Sequence, residues 1–324
     1  MVDSMGHYLP AKIVNNFDLE RKLDTTDEWI RVRTGMFERR FADDSEAASD
    51  LAFKAAENAI YNSNTTRNKD IEMIIVATIS SDHPFPAAAC IVQNKLGLKE
   101  IPAFDISAGC TGFIYALDVA KQYIETGAFS TILVIGVEIL SRLINWEDRG
   151  TAVLFGDGAG AAIVKRAEST VSEIIDSKIT SDPTDWELLI QPAGGSRRPA
   201  SVETVNKSMH SVYMEGNKIF PRAVKSMSNI TVDILKKHNL SVKDIDWIIP
   251  HQANMRIIEG VADRLKVPME KVIVTIQKYA NTSASTVPIA MSEGIKEGII
   301  RRGDVILLTA FGAGLTFGST LIRY

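Results

Sequence analysis

The chain has 324 residues, 45% hydrophobic and 23% charged, which is enough to bury a large core and to form two or three domain-sized units. Its 36 Lys and Arg against 40 Asp and Glu give a net charge of −4, which excludes a whole-chain attraction to nucleic acid or anionic lipid and confines any charge-driven partner site to a local patch. Two cysteines, Cys90 and Cys110, exclude a disulfide framework, no Cys/His cluster reads as a metal site, and the N-terminus lacks a signal-peptide pattern, so a soluble protein of the reducing cytoplasm is expected.

In chain order, Ala48, Leu51, Ala52, Ala55, Ala59 and Ile60 fall at helical spacing and lead into a buried strand within Lys69–Ile75. Phe104–Ile106 reads as a strand, Ser107–Gly109 as a tight turn, and Phe113, Leu117, Ala120 and Ile124 as the face of a helix. After Gly127 comes a second buried strand, Thr131–Val137; the apolar run to Leu140 is far shorter than the roughly 20 residues of a membrane span. No flexible linker follows Gly156–Val164, and the boundary is placed near Lys165, giving halves 1–165 and 166–324. Residues 180–215, with Pro183, Pro192, Gly194, Gly195 and Pro199, read as an irregular insertion.

The second half repeats the first. A helix through Val224, Met227, Ile230 and Ile234 leads into Lys243–Ile249, whose Lys-Asp-Ile-Asp-Trp-Ile-Ile matches the Lys-Asp-Ile-Glu-Met-Ile-Ile that lies 174 positions earlier. A helix at Met255, Ile258, Val261 and Leu265, a strand at Val272–Ile276, a helix at Val287–Ile295 and, after Gly303, a strand at Val305–Thr309 follow. Ile71 to Ile132 and Ile245 to Ile306 are both 61 positions apart, so the chain reads as two copies of one α/β unit whose apolar strands are covered on both faces by helices.

Three residues stand at strand-to-helix junctions. Cys110 is at a helix N-terminus, where the macrodipole and unpaired amides favour a thiolate; a buried structural cysteine is the competing reading, since free cysteines pack as small hydrophobes. His251 follows a strand end, where it serves either as a catalyst or as a structural cap, while His7, His83, His210 and His238 lie in loops or at a helix end. Asn281 lies before a helix, and subtracting the repeat offset from Ser283 leads to Gly109, next to Cys110. The glycines of Phe155–Gly160 and Phe311–Gly314 lack phosphate-binding spacing and are read as close backbone packing, with an amide near Ala313 available to an oxyanion.

Taken together, Thr26–Ile30, Arg33-Thr34-Gly35, the Cys110 segment, Asp148–Thr151, Phe155–Gly160, Pro250–Asn254, Asn281–Ala284 and Phe311–Gly314 resemble, in order and over nearly the whole chain, the β-ketoacyl-acyl-carrier-protein synthase III family of thiolase-like condensing enzymes. The resemblance implies an α/β thiolase-like fold of two pseudo-symmetric halves in five layers, α-β-α-β-α. It implies an acyltransferase of fatty acid biosynthesis in which Cys110 takes an acyl group from CoA, and His251 and Asn281 stabilise the enolate from decarboxylated malonyl carrier protein. The amides of Cys110 and Ala313 would form the oxyanion hole. Trp29, Arg33, Arg149, Gly216, Phe220 and Asn254 would bind CoA, which is a substrate; no cofactor or metal is implied.

Phe85 would close the acyl pocket of a partner subunit in a homodimer. A basic patch of Arg256, Arg264 and Lys266, with Lys218 and Arg222 nearby, is the expected carrier-protein surface, although Glu259 and Asp263 interrupt it and a solvated helix face is the plain alternative. Two other readings stand beside the main one: a specialised homologue with another acyl-CoA primer, and a non-catalytic carrier-protein-binding subunit, which the joint presence of Cys110, His251 and Asn281 opposes. Departures from the family pattern are a first strand that reads as shortened, Ala280 and Ala313 where glycine is common, and the 180–212 insertion.

Overall fold

The computed structural model describes residues 1–167 and 172–324. The first half runs through β1 (Val2–Tyr8), β2 (Lys12–Asn15), α1 (Asn16–Glu20), α2 (Asp27–Thr34), β3 (Glu38–Phe41), α3 (Ala48–Tyr61), β4 (Met73–Ala77), α4 (Ala88–Lys95), β5 (Ala103–Ile106), α5 (Gly112–Glu125), β6 (Thr131–Ile139), α6 (Arg149–Ala152) and β7 (Asp157–Lys165). The second runs through β8 (Glu173–Ser181), β9 (Leu189–Ile190), α7 (Val202–Asn206), β10 (Tyr213–Met214), α8 (Gly216–Lys237), β11 (Trp247–Pro250), α9 (Met255–Leu265), α10 (Ile276–Tyr279), α11 (Thr286–Lys296), β12 (Val305–Gly312) and β13 (Thr316–Arg323).

One sheet has the order β1-β7-β6-β4-β5 and the other β11-β12-β13-β8. Alternate residues of each strand point into different apolar layers, as the period-2 geometry of a strand requires. Leu133, Ile135 and Val137 of β6 pack on α3 and α4, whereas Ile132 and Val134 pack with α5 and α11. The same middle layer takes Ile306 and Leu308 of β12, and Leu307 turns the other way onto α8 and α9. Three apolar layers between two sheets and three tiers of helix give the five-layered thiolase-like fold.

The repeat survives in register. Met73 pairs with Ile132 in the parallel β4/β6 ladder, and Trp247 with Ile306 in the parallel β11/β12 ladder, so both pairs keep the offset of 174. The tight turns ahead of α5 and α11 keep it too: Gly109–Thr111 and Ser283–Ser285 are both single 3-10 turns, each starting in a left-handed conformation, at Gly109 (φ +54°) and Ser283 (φ +49°).

Some sequence expectations give way. The first strand, whose edge pairing the short start put in question, pairs with β7 from Val2 to Tyr8, with one irregularity between Val2 and Ser4. His7 lies on β1 rather than in a loop and bonds Ser292 Oγ through Nδ1 at 2.8 Å. Val272–Ile276 forms no strand beyond an isolated bridge from Val272 to Ile248. The Gln252 side chain takes the polar groups a further strand partner would need, donating to Ile273 O at 3.2 Å and accepting from Thr275 N at 2.9 Å. The insertion is only partly irregular, since β8 runs on to Ser181 and β9 and β10 form a short antiparallel pair.

The packing role of the glycines holds. A Cβ at Gly156 would stand 2.6 Å from Tyr279 O, and one at Gly160 2.7 Å from Pro288 Cβ, so side chains there would push the halves apart. Ala280 is different, since it is an alanine at φ +55°, ψ −152°, a region that suits glycine. That strain costs on the order of 1–3 kcal/mol, and part of any relief is offset by the greater unfolded-state freedom of glycine. Ala280→Gly should therefore stabilise the fold by about 1 kcal/mol, seen as a rise of about 2 °C in Tm. A lower Tm would show that the buried methyl contributes more by packing than its backbone costs.

Candidate active site

Cys110, His251 and Asn281 come from different elements and line one cavity of about 470 Å³. Cys110 is in the 3-10 turn between β5 and α5, half-buried, with its sulfur against the Ser283 side chain. Close approach of two backbones shapes its surroundings: a Cβ at Gly109 would stand 2.8 Å from Ala313 N, and one at Gly312 2.7 Å from Cys110 N. The Thr316 hydroxyl lies 2.9 Å from Ala108 O and 3.1 Å from Ala313 O, tying the two turns together. Among the described residues, neither Cys110 N nor Ala313 N has a backbone acceptor, which leaves both amides for a ligand oxygen. Ala313 keeps a negative φ, so alanine supplies that amide as readily as glycine would.

His251 is buried, continues β11, and donates its backbone N–H to Thr309 O at 2.8 Å. Burial pushes its pKa down to about 3, so the ring is neutral throughout the physiological range. Its Nδ1 lies 2.7 Å from Thr286 Oγ1, and that hydroxyl is also 3.0 Å from Ser283 O. The hydroxyl has one proton. Given to Nδ1, it leaves Nε2 as a donor; given to Ser283 O, it makes Nε2 an acceptor.

Asn281 is locked between the halves, receiving Gly156 N on its carbonyl at 3.0 Å and donating its own N–H to Leu154 O at 2.9 Å. Its Oδ1 accepts from Ser283 N at 2.8 Å, and among the described residues Nδ2 has no assigned acceptor, which leaves it as a donor for a ligand.

Two contributors escaped the sequence reading. Glu138, on β6, is fully buried and receives Thr78 Oγ1, Ile79 N, Ser80 Oγ at 2.5 Å and Ser283 Oγ at 3.1 Å. Burial outweighs those bonds and raises its pKa to about 7. Ser283 was read as a marker of the repeat and as part of the Asn281–Ala284 motif, with no role of its own, yet it touches Asn281, Thr286, Cys110 and Glu138. The expected low-pKa thiol is also corrected: burial above all, then the Glu138 carboxylate, raise Cys110 to about 12 against the helping Ser283 hydrogen bond. Partial desolvation of the sulfur and the nearby negative charge outweigh the short 3-10 turn at the helix start.

The remaining candidate residues divide. Trp29, Arg33, Gly216, Phe220 and Asn254 line the same cavity. The Arg33 and Arg149 guanidiniums lie 5.4 and 5.1 Å from the centre of the Trp29 ring. Asn254 is already engaged, capping α9 through Arg256 N and donating to Arg33 O at 3.1 Å. The insertion contributes Leu189, Val212 and Met214 to the wall.

Phe85 lies outside this cavity and is 84% exposed. Arg256, Arg264 and Lys266 are exposed along α9, with Glu259 and Asp263 exposed between them. Lys218 and Arg222 are committed elsewhere, to Glu215 and Asp185. Among the described residues no group of three or more His, Cys, Asp or Glu side chains is placed to hold a metal ion, and no helix is long and apolar enough to cross a membrane.

Comparison with known proteins points one way. A family model described as 3-oxoacyl-[acyl-carrier-protein (ACP)] synthase III C terminal matches residues 235–324, and one described as 3-oxoacyl-[acyl-carrier-protein (ACP)] synthase III matches residues 104–183. The chain is 53% identical to a β-ketoacyl-[acyl-carrier-protein] synthase III from Caldanaerobacter subterraneus subsp. tengcongensis, covering 98% of this chain and 96% of the relative. It is 47% identical to one from Fusobacterium nucleatum subsp. nucleatum, covering 100% and 98%. The crystal structure of 3-oxoacyl-[acyl-carrier-protein] synthase III from Aquifex aeolicus VF5 superimposes with a TM-score of 0.92 at 44% identity, covering 100% and 99%.

Glu138 makes stability depend on pH. Its folded pKa of about 7 lies above the ordinary 4.5, so the folded state holds a proton that the unfolded state gives up first. Stability is therefore fully present below about pH 4.5 and is lost as pH rises through 7, by at most about 3 kcal/mol. Glu138→Gln, which keeps a buried amide among the same groups, should gain in Tm relative to the parent between pH 5 and pH 8. A Tm difference independent of pH would show that Glu138 stays in one protonation state.

Proposed function

Because the chain belongs to the β-ketoacyl-[acyl-carrier-protein] synthase III family, we propose that it condenses a short acyl-CoA, acetyl-CoA first among them, with malonyl carrier protein to begin fatty acid synthesis. The observation that carries this reading is the convergence of the Cys110 thiol, two unpaired amides, a neutral histidine and a free asparagine amide on one cavity.

Cys110 Sγ attacks the thioester carbonyl, and the developing oxyanion is held by Cys110 N–H and Ala313 N–H. CoA leaves as the thiol and the acyl group stays on Cys110. Malonyl carrier protein then enters and loses CO2, and the enolate oxygen is held by His251 Nε2–H and Asn281 Nδ2–H. Neutral His251 suits this step, since an imidazolium would be ready to protonate the carbanion. The Thr286 hydroxyl supports it by donating to Nδ1, which leaves the proton on Nε2. The carbanion attacks the acyl carbonyl, and Cys110 departs.

Acyl-CoA is a substrate here, not a resident cofactor. A base sandwiched between Trp29 and Arg149 needs about 7 Å, two stacking separations of about 3.5 Å, so the present pair must open by about 2 Å to admit adenine. Arg33 and Asn254 flank that slot, and Gly216 and Phe220 border the arm that reaches Cys110. In the proposed homodimer, the exposed Phe85 closes the acyl pocket across the interface. The carrier protein, acidic in character, docks on Arg256, Arg264 and Lys266. A free nucleophilic thiol suits a reducing cytoplasm.

Incubation with acetyl-CoA should add one acetyl group by intact mass, and Cys110→Ser should lose it; an adduct that persists in the variant would remove Cys110 as the nucleophile. The mass left by a mixture of acyl-CoAs identifies the preferred primer. His251→Ala and Asn281→Ala should still acylate but fail to decarboxylate malonyl carrier protein. Since His251 is neutral down to about pH 3, decarboxylation should show no inflection near the ordinary histidine pKa of 6.5. Reversing charge at Arg264 and Lys266 should raise KM for malonyl carrier protein and leave acylation by acetyl-CoA unchanged; unchanged KM would return α9 to an ordinary solvated face.

A further inference from the structure

We propose that Glu138, acting through the Ser283 hydroxyl, accepts the proton of Cys110 during acylation and later returns it, a role that rests on Cys110 being the acyl carrier. Ser283 Oγ lies between the two groups, 3.1 Å from Glu138 Oε1 and against the Cys110 sulfur. A hydroxyl in that position receives a proton on one lone pair as it gives its own away, so a thiol and a carboxylate that do not touch can exchange a proton.

The surroundings of Glu138 favour this exchange. Its bonding partners Thr78, Ile79, Ser80 and Ser283 are all neutral. Opposite it on β7 is Gly158, and the neighbouring Asp157 carboxylate is occupied by Ala42 N and Ser141. On this face of β6 the start of α5 presents Gly112, Phe113 and Ile114, while α3 packs on the opposite face of the strand. His251, in the same cavity, is shifted by burial alone. Among the described residues the titratable group facing Glu138 is thus the Cys110 thiol, whose ionisation the carboxylate opposes. Keeping a carboxyl here costs a buried charge, offset by the four donors that its two oxygens accept. Its pKa near 7 suits a group that takes and returns a proton at neutral pH.

The step balances. As Sγ forms its bond to the acyl carbon, the S–H bond breaks, the proton goes to Ser283 Oγ, and the Ser283 proton passes to Glu138 Oε1. When the C–S bond to CoA breaks, its electron pair leaves on the CoA sulfur, and the proton travels back through Ser283 to make the CoA thiol. After condensation Cys110 leaves as a thiolate, and one solvent proton, taken up in place of the carboxylate lost as CO2, restores the thiol.

The test is the rate of acetyl transfer from acetyl-CoA to Cys110, followed by rapid quench and intact mass from about pH 5.5 to about pH 9. Iodoacetamide alkylation of Cys110 gives an independent measure of thiol reactivity. In the parent the acylation rate should rise through about pH 7 and level off, because above that pH the proton moves within the protein. Glu138→Gln should lower the rate at pH 8 by about a hundredfold and remove the plateau, the rate then rising about tenfold per pH unit. Ser283→Ala, which leaves the carboxylate with its other donors, should do the same, and the double variant should be no slower than either. Folded Glu138→Gln and Ser283→Ala proteins with the parent profile would overturn the relay. Should Glu138→Gln not fold, Ser283→Ala decides alone. A parent that takes up no acetyl group on Cys110 would instead overturn the functional reading.

Discussion

The left-handed turn at Ser283 is the constraint on which the site depends. At φ +49° the chain leaves Asn281 and enters the 3-10 turn before α11 so that one residue presents three polar groups in three directions. Its N–H fixes the Asn281 amide, its carbonyl competes for the Thr286 proton that sets the His251 tautomer, and its hydroxyl donates to Glu138 beside the Cys110 sulfur. Such a conformation is costly for a residue with a side chain, and it persists because buried structure surrounds it on every side.

The internal repeat explains why that turn meets the thiol. Gly109 and Ser283 occupy the same place in their halves, both left-handed, both opening a 3-10 turn that leads into a central helix. Glycine in the first copy lets Ala313 come close and frees two amides, while serine in the second supplies the hydrogen bonds. The middle layer, where α5 and α11 lie between the sheets, brings the two turns face to face. Small residues at Gly136, Gly156 and Gly160 allow the approach, since a Cβ at any of them would stand less than 3 Å from the other half. One α/β unit used twice thereby sets a turn bearing a thiol against a turn bearing an amide.

Much of this was legible in the sequence, for a physical reason. Buried strands such as Thr131–Val137 and amphipathic helices such as that through Val224–Ile234 leave strong periodic signals, and a repeated heptapeptide with equal strand spacing announces two copies of one unit. Cys110, His251 and Asn281 stood out as polar residues at strand-to-helix junctions. Val272–Ile276 misled because β-branched composition says nothing of a glutamine side chain ready to take the strand's hydrogen bonds. The thiol misled because a helix start is visible in sequence, whereas burial and a carboxylate from another strand are not. Glu138 did leave a signal, as the lone acid within the wholly buried strand Thr131–Ile139, and a rule that treats any such charge as functional until paired would have found it.

The most direct test of the account is a crystal structure of the protein acetylated on Cys110. The convergence of the two turns predicts the acetyl carbonyl oxygen about 3 Å from both Cys110 N and Ala313 N, with Asn281 Nδ2 and His251 Nε2 facing the space beyond it. An acetyl oxygen turned away from either amide, or an acetyl group on any residue other than Cys110, would contradict it.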